Sequence, residues 1–452
     1  MEVFKKKLLY YAISSRIIVF ILQAFFNLIP DHNADAFKPT FNRTSGFANN
    51  IIATTLDGFH KWDSKYFLYI AENGYPLEKF FAFFPLYPLL VRVYGDIISA
   101  MTNHIIAFNE ACLLAGWLLN NIFFVGASFK LYDLTQAVFN DESFSIITSL
   151  VFCYNPASVF FSSLYTESLF SFLVFSGMST LMKQEFFAAT TWFMLSGFCR
   201  SNGLLNAGFI AYYAIALQYK NFDSKKFTMI KSFFSLVSAL VQCCLICLPF
   251  LLFNLFGYLL FCIFPKKSER RSWCKHNFFL YDYVQKENWN LGFLNYYELK
   301  KLPNFILSLP TILIISECIT YYTSKKSFSK EIRSIGIFST WDKFSKEDIK
   351  EDLKIKHCNI FCFVTHALFL TSFAMLFMHI EVTTRMLFSS TPIPCWLVAS
   401  FLYKDVCKNK LKLVVSMQNL KKLSKKSKQY LAFFGFYFVV GCLLHVNFLP
   451  WT

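Results

Sequence analysis

The sequence predicts an all-α protein that crosses a membrane many times, with about 11 transmembrane helices. Of its 452 residues, 55% are apolar, 20% are aromatic and only 16% are charged. A soluble domain has roughly 25% charged residues. The apolar residues also gather in runs near the length of about 20 residues that a helix needs to cross a bilayer. We therefore predict a single multi-span domain over residues 1–452.

The distribution of charge predicts the orientation of the chain. The formal net charge is +16, and the lysines cluster in short loops between apolar runs. Such loops stay in the cytosol, so the charge does not indicate a nucleic-acid partner. Most of the 14 cysteines lie inside apolar runs, where cysteine packs as a small hydrophobic residue. Their spacing gives no structural zinc site.

The first apolar run, residues 8–29, follows three lysines. It is longer than the roughly 7–15 apolar residues of a signal peptide, which is the alternative interpretation. We predict that residues 1–29 hold a retained first span with a cytosolic N-terminus. Residues 30–104 then form an extracytoplasmic loop. A glycosylation sequon at Asn42 agrees with this side.

The later apolar runs alternate between the two sides of the membrane. The predicted spans are residues 106–129, 144–163, 167–182, 187–199, 204–219, 229–264, 304–322, 358–379, 386–403 and 430–447. The resulting regions are a helical core (105–264), a second extracytoplasmic loop (265–303), and C-terminal spans (304–452) with cytosolic loops at 323–356 and 404–428. Basic residues at 266, 267, 270 and 271 fall outside, against the charge rule.

The stretch from Gly58 to Pro88 is too polar to cross a bilayer and unusually aromatic for a loop exposed to water. It predicts a short amphipathic helix in the membrane interface, where Trp62 and Tyr66 would sit comfortably. Asp63 falls near the start of this helix, where the helix dipole favours a carboxylate. A cap of the helix, or an ion pair with a neighbouring lysine, is the simpler explanation of Asp63.

Four polar groups fall on one side of the membrane in this topology. They are the Asp63 stretch, residues 155–168 with Asn155, Tyr165 and Glu167, residues 200–203 with Arg200 and Asn202, and residues 379–385 with Arg385. Charged residues at the edges of spans are costly and tend to face a cavity. Arginine forks bind phosphate oxygens, and a carboxylate can accept the proton of an attacking hydroxyl. The pattern suits a phosphate-linked sugar substrate. Snorkelling arginines and a proline-kinked helix end remain the structural alternatives.

Several stretches resemble the GPI mannosyltransferase II family, which belongs to the C-type glycosyltransferase superfamily. The matching stretches are W-D-S-K-Y-F (62–67), A-F-F-P-L-Y-P (82–88), N-P-A-S-V-F-F-S-S-L-Y-T-E-S-L-F (155–170), R-S-N-G (200–203), W-N-L-G-F-L-N-Y-Y-E-L-K (289–300), V-T-T-R (382–385), S-S-T-P (389–392) and H-V-N-F-L-P-W-T (445–452). They occur in order along nearly the whole chain. Together they are specific, although each stretch is weak by itself.

The resemblance implies transfer of the second mannose in glycosylphosphatidylinositol assembly. The donor would be dolichyl phosphate mannose, the acceptor a mannosyl-glucosaminyl-phosphatidylinositol, and the new bond α-1,6. Inversion at the sugar carbon implies one base, for which Asp63 matches the catalytic acid of the superfamily's first luminal loop. The residues expected to bind substrate are Trp62, Tyr66, Asn155, Tyr165, Glu167, Arg200, Asn202 and Arg385.

The same resemblance implies a multi-pass protein of the endoplasmic reticulum membrane whose active site faces the lumen. It implies no metal and no cofactor, and it leaves open a small accessory membrane subunit. Three alternatives remain at this stage. They are a related dolichyl-phosphate-sugar transferase with another acceptor, a lipid or sugar-phosphate transporter, and a non-catalytic subunit of a membrane complex.

Overall fold

The protein is helical throughout the part of the chain that the structure describes. The computed structural model describes residues 2–34, 36, 37, 39, 45–223, 228–266, 270–323, 360–409 and 421–451. Its regular elements in these ranges are α-helices, short 3₁₀-helices and one π-turn. This confirms the all-α prediction. The predicted sequon at Asn42, Lys267 and most of the loop 323–356 lie outside the described residues.

The α-helices are numbered in chain order. They are α1 (Glu2–Phe26), α2 (Phe47–Thr55), α3 (Ser64–Asn73), α4 (Leu86–Met101), α5 (Phe108–Phe139), α6 (Glu142–Cys153), α7 (Glu167–Met182), α8 (Phe186–Cys199), α9 (Ala207–Asp223), α10 (Met229–Tyr258), α11 (Leu280–Trp289), α12 (Leu302–Thr323), α13 (Phe361–Phe377), α14 (Thr383–Ser390), α15 (Ile393–Asn409) and α16 (Lys425–Val446). Helix α5 lies at the centre and packs against α1, α4, α6 and α7.

Five of these helices are long and apolar enough to cross a bilayer, so the chain is a multi-pass membrane protein. They occupy Phe4–Phe26, Phe108–Phe139, Met229–Ile263, Leu299–Tyr321 and Lys425–Val446. A bent pair, α14 and α15, supplies a sixth span if the two helices count as one. The described apolar helices α6, α7, α8 and α13 have 12–17 residues. At 1.5 Å per residue they are shorter than a hydrocarbon core of about 30 Å. The predicted number of about 11 spans therefore stays a prediction.

Residues 144–163, predicted as one span, do not form one continuous helix. Helix α6 ends at Cys153, a segment follows that contains only the short 3₁₀-helix Ser158–Phe161, and α7 begins at Glu167. The Asn155 side chain donates to the Phe152 carbonyl at 2.8 Å and accepts the Ala157 N–H at 2.8 Å. Asn155 therefore closes the end of α6, and the proline after it cannot continue a helix. Backbone without helical hydrogen bonds is tolerated at membrane depth where protein covers it.

Arg16 of α1 is buried and binds the segment between α6 and α7. Its guanidinium donates to the Ser158 carbonyl at 3.0 Å and to the Cys153 carbonyl at 3.3 Å, and it lies 3.6 Å from the centre of the Phe124 ring. Unpaired carbonyls at a helix C-terminus attract cations. This buried arginine thus satisfies the backbone that the break in the span leaves open.

The span predicted over residues 386–403 is also interrupted. Helix α14 ends at Ser390 and α15 starts at Ile393, with an angle of 70° between them. Pro392 lies in the break and has no N–H to continue the helical ladder. The bend sets α14, which carries Arg385 in its first turn, at a steep angle to α15.

A disulfide joins Cys262, at the end of the apolar run of α10, to Cys274 in the following loop, with 5.7 Å between their Cα atoms. The sequence analysis did not predict it, because cysteines inside apolar runs gave no pairing signal. Buried thiols elsewhere, such as Cys112, Cys153 and Cys362, confirm the expected packing role. The loop closed by the disulfide leads directly into α11.

Candidate active site

A cavity of about 750 Å³ opens between the end of the helical bundle and the loop that carries α11. Its polar end is formed by Asp63, Thr166, Arg200, Asn202 and Arg385. Aromatic and apolar side chains form most of the remaining wall, among them Phe67, Phe83, Phe84, Leu204, Leu205, Phe250, Phe279, Tyr281, Trp289, Phe369, Leu370, Phe373, Phe377 and Met386. The polar side chains of Ser201, Asp282, Gln285, Lys286 and His379 complete the lining. One compartment therefore combines a small charged end with a long apolar side, as a substrate with a polar head and a lipid tail requires.

The charged end is a chain of four side chains from four distant parts of the sequence. Arg385 Nη2 lies 2.8 Å from Asp63 Oδ2, and Arg385 Nη1 lies 3.5 Å from Glu167 Oε1. Arg200 Nη1 also pairs with Glu167 Oε1. Two carboxylates and two guanidinium groups are present, so the formal charges cancel. Buried charges are tolerated when they are paired in this way.

Asp63 precedes the first residue of α3, as the sequence predicted, but it does not cap the helix with its side chain. The carboxylate reaches across to Arg385 instead, 322 residues away in the sequence. Of the Asp63 side chain, 23% is exposed, compared with none of Glu167. Asp63 is thus the carboxylate of the pair that a ligand in the cavity can reach.

Arg200 stands in a tight turn between α8 and the 3₁₀-helix Ser201–Asn206. Gly203 packs so closely on α8 that a Cβ there would lie 2.6 Å from the Ser196 carbonyl carbon and oxygen. The neighbouring Asn202 donates to Ser390 Oγ at 3.0 Å. The R-S-N-G turn therefore brings a partly exposed guanidinium and an amide to the cavity, next to the break between α14 and α15.

Residues 5–452 match the protein family described as Mannosyltransferase (PIG-V). The chain belongs to this family. It is 33% identical to the GPI alpha-1,6-mannosyltransferase 2 of Rattus norvegicus, over 99% of both chains. It is also 33% identical to the GPI mannosyltransferase 2 of Drosophila pseudoobscura pseudoobscura, over 98% of both chains. The GPI mannosyltransferase 2 of Schizosaccharomyces pombe is 28% identical over 65% of this chain and 60% of its own length.

Membership of this mannosyltransferase family confirms the resemblance on which the sequence analysis relied. It makes the chain a glycosyltransferase, and it sets aside the transporter and the non-catalytic subunit. The eight candidate substrate-binding residues of this mannosyltransferase can now be placed one by one. Arg200, Asn202 and Arg385 line the cavity together with Asp63.

Tyr165 and Glu167 lie directly behind the cavity wall and hold the residues that line it. The Tyr165 hydroxyl accepts the backbone N–H of Asp63 at 3.1 Å, and its ring centre lies 5.1 Å from the Arg385 guanidinium. Glu167 binds both arginines. The resemblance implies that both residues bind substrate, whereas these contacts are to Asp63 and the arginines.

Trp62, Tyr66 and Asn155 take other positions in this mannosyltransferase. The Tyr66 ring stacks on Phe83 at 4.7 Å, so it supports the aromatic wall from behind. The Trp62 ring packs against Phe448 at 5.4 Å. Asn155 is completely buried and caps the end of α6. The described contacts of these three residues are structural.

One wall of the cavity comes from a helix in which no site residue was predicted. Helix α11 contributes Tyr281, Gln285, Lys286 and Trp289 to it. The hydroxyl of Tyr281 lies 2.8 Å from Ser201 Oγ, which ties α11 to the R-S-N-G turn. The density of Trp, Tyr and Asn in residues 265–303 was the available signal.

Hydrogen bonds join the end of α11 and the loop after it to the turn that leads into α14. Tyr296 donates to Glu381 Oε2 at 2.6 Å, and His379 Nε2 lies 2.8 Å from the Trp289 carbonyl oxygen. Asn304 also binds Glu381. Because Arg385 follows four residues after Glu381, these contacts fix the distance between the aromatic wall and the charged end.

In the part of the chain that the structure describes, no group of three or more His, Cys, Asp or Glu side chains could hold a metal ion. Asp63 and Glu167, the two carboxylates of the charged chain, each bind an arginine.

Proposed function

We propose that this mannosyltransferase adds the second mannose of the glycosylphosphatidylinositol precursor in α-1,6 linkage. The acceptor is a mannosyl-glucosaminyl-phosphatidylinositol and the donor is dolichyl phosphate mannose. Full-length relatives that carry the name GPI alpha-1,6-mannosyltransferase 2 support the acceptor and the linkage. The observation that carries the chemistry is the partly exposed Asp63 carboxylate, held by Arg385 at the polar end of a cavity with a long apolar wall.

Asp63 acts as the general base of a single displacement. Its Oδ2 is engaged by Arg385, so we assign Oδ1 as the atom that accepts the proton of the attacking acceptor hydroxyl. The hydroxyl oxygen forms a bond to C1 of the donor mannose while the bond from C1 to the phosphate oxygen breaks. Dolichyl phosphate leaves with the electron pair. A β-linked donor thereby gives an α-linked product, with inversion at C1.

Arg200 and Arg385 are assigned to the phosphate groups. Arg200 is 16% exposed and Arg385 is 10% exposed, and both line the cavity. Their charges are already balanced by Asp63 and Glu167, so a phosphate group is attracted by directed N–H donors rather than by a large net charge. Guanidinium groups present such donors in a planar fork that matches phosphate oxygens. The donor carries its own leaving group, so this reaction requires no cofactor.

Trp289 and Phe83 form a surface for the sugar rings, with 5.9 Å between their ring centres. Both residues line the cavity close to Phe67 and Asp63. The apolar faces of sugar rings pack favourably on aromatic side chains, which bury a large area with a defined orientation. Asn202 lines the polar end of the cavity with Asp63, and its amide binds sugar hydroxyls there.

We further propose that the cavity faces the lumen of the endoplasmic reticulum. The disulfide between Cys262 and Cys274 lies in the loop that leads to α11, and α11 forms part of the cavity wall. Disulfides form in oxidising compartments such as this lumen and are rare in the cytosol. The disulfide and the lysine-rich loops predicted to be cytosolic thus support the same orientation.

An assay with microsomes tests the proposed reaction. Microsomes that contain the protein receive labelled dolichyl phosphate mannose and the one-mannose precursor. We expect a two-mannose lipid whose new bond is α-1,6 by linkage analysis. Asp63→Asn should lower kcat by about 10²–10⁴, because it removes the base but nearly preserves the shape of the side chain. Asp96→Asn, at an exposed position of α4, is the matched control and should keep the wild-type rate.

Two results would contradict the proposal. Product formation by Asp63→Asn at the wild-type rate would remove Asp63 as the base. Transfer to another dolichol-linked or lipid-linked acceptor, with none to the one-mannose precursor, would instead favour a related transferase with a different acceptor. Both variants are compared at equal amounts of folded protein.

A further inference from the structure

We propose that Phe448 is a positioning residue for Asp63 and that it acts through Trp62. The proposal rests on the role of Asp63 as the base. Phe448 belongs to the segment that follows α16, almost 400 residues from Trp62 in the sequence. Its ring packs against the Trp62 ring, with 5.4 Å between the centres and 59° between the planes.

Trp62 needs such support because its backbone is in the left-handed region, with φ of 54°. This conformation is unfavourable for residues other than glycine, and it persists only where the surroundings determine it. The indole N–H of Trp62 has no hydrogen-bond partner among the described residues. The Trp62 carbonyl accepts the Lys65 N–H at 3.2 Å, so ring packing is what holds the Trp62 side chain just before Asp63.

The Phe448 ring contacts three side chains that surround Asp63 in the sequence. Besides Trp62, the ammonium groups of Lys61 and Lys65 lie 5.1 Å and 4.7 Å from the centre of the ring. Cations are attracted to the face of an aromatic ring within about 6 Å. Phe448 itself is buried, with 8% of its surface exposed. One ring thus contacts residues that precede and follow Asp63 in the sequence.

The same segment also supports Asp63 from the opposite direction. The ring of His445, one turn of helix earlier, lies 5.5 Å from the Tyr165 ring. The Tyr165 hydroxyl in turn accepts the backbone N–H of Asp63. The segment is itself fixed to the first extracytoplasmic loop, because the His32 N–H donates to the Asn447 carbonyl at 3.0 Å. Asp63 therefore lies between two supports that come from one short stretch.

The consequence for catalysis follows from the geometry of proton transfer. A base must lie within hydrogen-bond distance of the hydroxyl that it deprotonates, and a displacement of about 1 Å can cost about 10²-fold in rate. The cavity lining includes Asp63 but neither Trp62 nor Phe448 among its described residues. Loss of the Phe448 ring should therefore change the rate of the chemical step more than the binding of either substrate.

The test is a double-mutant cycle with the microsomal assay. We expect Phe448→Leu to lower kcat at least tenfold, with KM for donor and acceptor within about twofold of wild type. Phe448→Tyr retains the ring and should keep at least half of the wild-type kcat. The kcat of Trp62→Leu should fall as far as that of Phe448→Leu. The kcat of the double variant should be no lower than that of the slower single variant. Such non-additivity is expected when one residue acts through the other.

Each other outcome has a distinct meaning. If wild-type protein transfers no mannose to the one-mannose precursor, the proposed function fails. If wild type is active and Phe448→Leu has the same kcat, the positioning role is overturned. It is also overturned if only KM rises, or if the effects of the two single variants multiply in the double variant. Should Phe448→Leu fail to fold, Trp62→Leu decides, and a wild-type kcat in that variant refutes the proposal.

Discussion

Replacing Arg385 by glutamine tests how the charges of the cavity depend on one another. Arg385 bridges Asp63 at 2.8 Å and Glu167 at 3.5 Å. Removing one partner of a buried ion pair costs about 3–5 kcal/mol, because the remaining charge stays buried. Here Glu167 keeps Arg200, and 23% of the Asp63 side chain is exposed to solvent. Both facts reduce the cost, so we expect Arg385→Gln to remove about 1.5–3 kcal/mol of stabilisation from the charged site.

If this loss falls on the transfer step, kcat decreases about 10–100-fold, since about 1.4 kcal/mol corresponds to a factor of ten. The kcat of Arg385→Lys should lie between the values of wild type and Arg385→Gln. One ammonium keeps the charge but cannot offer the planar fork that serves both carboxylates. Initial rates at saturating donor and acceptor measure the effect. Arg270→Gln, at an exposed position in the loop before α11, is the control. A wild-type kcat for Arg385→Gln would refute the role of this bridge.

Two further predictions concern residues outside the charged chain. Burial, with a smaller contribution from Glu110, raises the pKa of Glu72 to about 7, so the fold favours the neutral carboxyl and the folded state loses about 3 kcal/mol of stability as pH rises from 4.5 to 8. Glu72→Gln should abolish this loss, and an unchanged pH dependence of the melting temperature would contradict it. Cys262→Ala should leave Cys274 as a thiol that an impermeant maleimide labels only after the microsomes are permeabilised. Labelling in intact microsomes would place this loop in the cytosol.

The sequence predicted which polar groups share one side of the membrane, because the parity of the apolar runs determines it. It could not predict how they pair. The bond between Asp63 and Arg385 spans 322 residues, and the first turn of α3 offered an adequate local partner for the carboxylate. The interruption at Asn155 was foreseen only as an alternative, a proline-kinked helix end, and the one at Pro392 was not predicted.

The roles expected of individual side chains were less predictable than their location. Trp62 and Asn155 belong to stretches that resemble the family, and both were expected to bind substrate. In the structure Asn155 closes a helix end, and Trp62 packs against Phe448. A motif shared by a family records both the residues that touch a ligand and those that hold them in place. Sequence resemblance alone does not separate the two groups.

The positions of the four charged residues share a physical cause, which is that each one stands at a helix end. Asp63 precedes α3 and Glu167 begins α7, so both carboxylates meet the positive end of a helix dipole. Arg200 follows the last residue of α8, where the dipole favours a cation. Arg385 alone opposes its helix, since it lies in the first turn of α14.

Arg385 is therefore the member of the group whose charge depends most on its partners, and those partners are the two carboxylates. Two of the helix ends, at Glu167 and Arg385, belong to the two interrupted spans, and Arg16 covers the buried backbone of the first interruption. In an unbroken bundle these four charges would have to lie along apolar helices at a much higher cost. The interruptions that made the spans hard to count thus place two of the four charged residues at helix ends, where they complete a compact and neutral polar site beside the apolar wall of the cavity.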